Sequence, residues 1–182
     1  MLESALYAVN LVIHNLLLVA CAAAPFYQLR MVAKRATFGK RIIYEYDKSI
    51  EDLLGVQPRM CFWLIIGLIV TGFAFPLIYR GFHGEWMHRS MFVYGALAVK
   101  TLLVFIGFGI VNYGMFVIDR QIQSLFRSFK PDEQPSQDNL DRFFALRAKR
   151  KRFCTYCLYL AVAILVISPI LIHSETLLPQ TC

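Results

Sequence analysis

Hydrophobic positions in this chain fall into long runs, and the charges are bunched between them. The first run covers about residues 5–27 and holds no charge, the second 60–79, the third 91–118 with Lys100 as its only charge, and the fourth 153–173. Each is long enough for the roughly 20 residues that cross a hydrocarbon core. In lipid such segments are helices, because an open strand would leave backbone N–H and C=O groups without partners. The pattern therefore predicts an all-α integral membrane four-helix bundle, one domain over residues 1–182, with polar loops at 28–59 and 119–152.

The polar segments carry structure of their own. Ser49-Ile-Glu-Asp followed by Leu53 and Leu54 reads as a helix N-terminus with a capping serine. Gln57-Pro58 reads as the entry to the second membrane helix. The stretch SFKPDEQPSQDN is a proline-bearing linker. After it, LDRFFALRAKRKRF is basic and amphipathic. It fits equally a helix lying at the headgroup surface and a plain extension of the fourth membrane helix. Pro25, Pro76 and Pro169 fall near the expected helix ends. Small residues from Ala20 to Ala24, and the Gly-Phe-Gly at 107–109, permit close helix approach.

Composition agrees with a membrane protein: 58% of the residues are apolar and 17% charged. Charge then sets the expected orientation. Of the 19 Lys and Arg, seven lie in 29–60 and nine in 119–153, against two in 80–90. Under the positive-inside rule both long loops are cytoplasmic, and both termini face outward. The net charge of +7 reflects this topology, and nucleic acid is not an expected partner. The N-terminus MLESALYAVN has Glu3 and no basic region, so a cleaved signal peptide is not expected. In that topology Cys61, Cys154 and Cys157 lie near the cytoplasmic face, Cys21 within the membrane and Cys182 outside, so no disulfide framework is implied. There is no GxSxG, HExxH or phosphate-binding glycine loop.

Polar groups inside membrane spans are costly and usually functional. At 1.5 Å per residue, His14 and Lys100 fall at similar depth near the midplane. Asn10 precedes His14 by one helical turn on the same face. A neutral imidazole is the form that binds metal, and Lys100 needs an anion or a carbonyl, which a cofactor carboxylate would supply. The other reading has Lys100 snorkelling and His14 hydrogen-bonded to a neighbouring helix. In the outer loop, His83, Met87, His88 and Met91 offer imidazole and thioether ligands suited to copper, or else polar anchors beside Trp86. Cys154-Thr-Tyr-Cys157 is a CxxC outside any thioredoxin-like context.

The run from His14 through Phe26, Tyr27 and Arg30, with Lys100 in the third helix and Pro58 before the second, resembles the HemJ-type protoporphyrinogen oxidases and their CopD-like relatives. These are small bacterial membrane proteins of about four helices. The resemblance implies a place in the bacterial inner membrane. It also implies b-type haem on His14, with Asn10, Lys100, Tyr27 and Arg30 in the cofactor site and Lys100 taking a catalytic part. The activity implied is that of an oxidoreductase, on protoporphyrinogen or in electron transfer. Val111 stands where the family has a histidine in the third helix, and Ala148-Lys149-Arg150-Lys151 stands where it has Asn-Glu. Three functions follow as expectations: a haem-binding redox protein, an accessory subunit packed against membrane-protein partners or a second copy of itself, and copper handling by the outer loop.

Overall fold

The computed structural model describes residues 1–39, 41–86, 90–131 and 134–177, with side chains described as far as residue 168. The fold is an all-α four-helix bundle. Helix α1 is Leu2–Ala36, α2 is Tyr44–His83 and α3 is Met91–Tyr113. A π-helical turn, Gly114–Asp119, joins α3 without a break to α4, Arg120–Arg127. Helix α5, Gln137–Leu177, closes the bundle. Four helical stretches are long and apolar enough to cross a membrane. The helices alternate in direction. One end holds the start of α1, the end of α2 and the start of α3. The other, here the basic end, holds the connections at 37–43 and 128–136.

All four helical stretches are far longer than a bilayer needs. At 1.5 Å per residue, the 40 residues of α2 reach about 60 Å, roughly twice the hydrocarbon thickness. The 41 residues of α5 do the same. This revises the expected organisation of the loops. Helix α2 starts at Tyr44 rather than Ser49, and the Ser49 hydroxyl turns back to the Glu45 carbonyl at 3.0 Å. Pro58 lies inside the continuous helix rather than at its entry. The Gln57 amide beside it reaches across to the Ala24 carbonyl of α1. The basic segment 140–153 is an extension of α5, not a separate surface helix. Gly84 ends α2 in the left-handed conformation, φ 73°, with its N–H on the Arg80 carbonyl at 2.9 Å.

The projecting halves pack like a small soluble core. Ile42, Ile118, Ile122, Phe126, Phe129 and Phe143 are buried together at the basic end, with Tyr44 stacked on Phe126. Beside this core sits a knot of buried charges. Asp47 and Glu51 on α2 are essentially inaccessible, as are Arg35, Arg147 and Arg150. Arg35 grips Asp47 with Nε at 2.6 Å and Nη2 at 2.8 Å. Arg150 grips Glu51 with its two Nη atoms at 2.7 and 2.9 Å. Arg147 bridges the two acids: Nε donates to Glu51 Oε1 at 2.7 Å, and Nη1 lies 2.7 Å from Asp47 Oδ1. The Nη1 contact has ion-pair distance without hydrogen-bond angles. Forked, charge-assisted contacts of this kind fix geometry as well as adding energy, so α1, α2 and α5 are clamped in register.

Removing one member of such a cluster leaves buried charges unpaired, which costs about 3–5 kcal/mol. Glu51→Ala strips Arg147 and Arg150 of their common partner and is expected to lower the thermal unfolding midpoint in detergent strongly. Arg30→Ala, at an exposed position, is expected to leave the midpoint unchanged. An unchanged midpoint for Glu51→Ala would refute the clamp.

Candidate functional site in the bundle interior

Between the clamp and the opposite end, the four helices enclose an apolar cavity of about 750 Å³, within the range of roughly 300–1,000 Å³ typical of small-molecule and cofactor sites. It is long. On α1 its lining runs from Leu11 to Gln28, on α2 from Pro58 to Pro76 and on α5 from Arg150 to Ser168, each about 26 Å along the helix axis. Exposed lining residues on α2 and α3, Phe73, Tyr94, Leu97 and Phe105, carry it to the outer surface of the bundle.

A polar ladder fixes α1 against α2 along one wall. Asn10 Nδ2 donates to the Thr71 carbonyl at 3.0 Å. His14 Nδ1 lies 2.7 Å from Thr71 Oγ1, and the Thr71 hydroxyl lies 2.7 Å from the Gly67 carbonyl one turn earlier. A Thr hydroxyl in a helix commonly returns its single hydrogen to that carbonyl. With the hydrogen placed there, His14 Nδ1 carries the imidazole hydrogen and Nε2 holds the lone pair. Phe75 meets the ring edge-on at 5.9 Å between centroids. Gly67 allows the close approach: a Cβ there would stand 2.9 Å from Leu17 Cδ1.

His14 and Lys100 both line the cavity. Lys100 makes no hydrogen bond or ion pair to any described residue. The remaining residues proposed from the sequence are distributed as follows. Asn10 is buried but spends its amide on the Thr71 carbonyl, outside the cavity lining. Tyr27 and Arg30 are exposed and away from the lining. His83 pairs with Glu3 at 3.1 Å and stacks on Tyr79. Met91 is exposed at the start of α3. Met87 and His88 lie outside the described residues, as does Cys182.

Several interior groups escape a reading by runs and motifs. Cys21, Cys61, Cys154 and Cys157, on three different helices, all line the same cavity as free thiols. Among the described residues no cluster of His, Cys, Asp and Glu has metal-site geometry. Gln28 and Arg150 line the basic end of the cavity. The π-helical turn places Asp119 near Arg150, its Oδ1 3.9 Å from Arg150 Nη1. The only sequence signal for these groups is polarity at the margin of an apolar run. No family model, curated protein or solved structure matches the chain.

Interhelical hydrogen bonds in membrane proteins contribute about 0.6 kcal/mol on average and up to about 1.7. Thr71→Val removes the hydroxyl shared by His14 and Gly67 while keeping the side-chain volume. The expected outcome is a loss in that range, measured by reversible unfolding in mixed micelles. Thr71→Ser should retain wild-type stability, and equal losses for both variants would show that the hydroxyl is not the cause.

Proposed function

We propose that the protein is an integral membrane b-type haem protein, with the haem in the bundle cavity and His14 as iron ligand. One observation carries this reading: His14 faces an apolar cavity of cofactor size with Nδ1 held by Thr71, which leaves Nε2 for a metal. A metal-binding histidine characteristically has its second nitrogen anchored in this way. The chemistry of the wall fits the group. The lining is mostly aliphatic and aromatic, as a macrocycle requires, and Lys100, without an ion-pair partner among the described residues, would meet a ring carboxylate. Bound there, haem would supply one-electron redox chemistry. The chain itself holds the imidazole in one tautomer and orientation, neutralises a carboxylate and keeps bulk water from the ring.

Neither Tyr27 nor Arg30 enters this proposal, because neither reaches the cavity. The orientation proposed from the charges puts the basic end, with its Lys and Arg of 29–60 and 119–153, in the cytoplasm of a bacterial cell.

Purified protein is expected to show a Soret band and reduced-minus-oxidised bands of b-type haem. His14→Ala should abolish them. Thr71→Val should weaken haem affinity about 10–100-fold, the usual effect of losing a partner of a metal-binding histidine. Lys100→Met should weaken it without abolishing the spectrum. A colourless wild-type protein that is folded by circular dichroism and stays colourless with added haemin would end the proposal. For orientation, alkaline phosphatase fused after residue 182 should be active in cells and inactive when inserted in the 128–136 connection.

A further inference from the structure

The basic end of the cavity is built differently from the end that holds His14. Gln28 is only 5% exposed and lines the cavity. Its amide makes no hydrogen bond to any described residue and is not fully covered by protein. The amide therefore opens onto the cavity. An amide that faces an apolar cavity with no protein partner is free to hydrogen-bond a ligand there. Arg150, 4% exposed, lines the same end, its Nε sealed within the protein and its guanidinium held on Glu51.

The acids of the clamp are already matched by guanidinium groups, Asp47 by Arg35 and Arg147 and Glu51 by Arg147 and Arg150. Both Nη atoms of Arg150 are already committed to Glu51. An acidic head would bring a further negative charge beside Glu51 and Asp119, whereas a neutral head that accepts a hydrogen bond meets no such penalty. Beyond Gln28 the cavity continues for about 26 Å along α1, α2 and α5, walled by aliphatic side chains and the four thiols. It also reaches the bundle surface between α2 and α3, where apolar molecules can enter from the bilayer.

We propose that the basic end of the cavity is a binding site for a neutral, lipid-soluble carbonyl compound of the isoprenoid quinone class, its head on the Gln28 amide beside Arg150 and the near part of its chain in the stretch from Gln28 to Cys21 on α1, about 10 Å short of His14. An amide donates to a carbonyl and accepts from a hydroxyl, so Gln28 suits both the quinone and the quinol head. The site stands 14 residues, roughly 21 Å, from His14 along α1 and does not depend on the haem reading.

The test is photo-crosslinking of the full-length protein in nanodiscs with an azido-decylquinone, the labelled peptides mapped by mass spectrometry. Wild type is expected to incorporate label near Gln28 and on 150–157, with displacement by unlabelled decylubiquinone and none by lauric acid at equal concentration. Gln28→Leu, of similar volume, should lower affinity at least tenfold, and Gln28→Glu should do the same by adding a charge. His14→Ala should label like wild type, which separates failure of this site from failure of the haem proposal. The proposal is overturned by absence of label at these peptides, by full labelling of Gln28→Leu, or by equal displacement with lauric acid. Each variant is first shown to be monodisperse by size exclusion, and Cys157→Trp, which obstructs the cavity without touching the clamp, should also lose label.

Discussion

Glu51 is the residue on which the architecture turns. It is almost wholly buried on α2, and its two carboxylate oxygens receive Arg147 and Arg150 from α5. One turn before it, Asp47 receives Arg35 from the end of α1. Buried ion pairs are weak evidence for net stability, because desolvation offsets much of the attraction. Their effect here is on geometry. Three forked guanidinium groups admit one arrangement of three helices, and any rotation of α5 would leave charges without partners.

The rest of the bundle needs such a constraint. Helices within lipid gain little from hiding apolar surface, since lipid is as apolar as the partner helix. Across the apolar stretches the contacts that set register are few: the Asn10–His14–Thr71 ladder, the Gln57 amide on the Ala24 carbonyl, and the small core of Leu18, Leu68 and Ile164. Clamped beyond the membrane segments and laddered within them, the helices can stand apart between those points. That separation is the cavity. A bundle packed along its whole length would have none.

The cavity has two polar ends with different chemistry. His14 and Lys100 lie toward one end, an imidazole with an anchored nitrogen and a lysine with no ion-pair partner among the described residues. Gln28 and Arg150 lie at the other, against the buried ion pairs of the clamp. The Thr71 hydroxyl is central to the first because its helical position gives its own hydrogen a home on Gly67 and leaves its oxygen free to accept. The second owes its shape to the π-helical turn, which carries Ile118 into the lining and Asp119 toward Arg150.

Much of this was legible in the residues alone. Unbroken apolar runs can only be helices in lipid, so four spans followed directly, and counting residues put His14 and Lys100 at one depth. The paired register of Arg35 with Asp47 and of Glu51 with Arg147 and Arg150 was not legible. Those residues sit in polar segments between the apolar runs, and partners separated by 96 and 99 positions carry no local signal. Nor could a motif distinguish Gln28, which is buried and faces the cavity, from its neighbour Tyr27, which is exposed. Hydropathy records how much each segment prefers lipid, and that is a property of the segment. Which side chains meet depends on helix rotation and on charges that have to find one another across the bundle, and only the tertiary structure decides those.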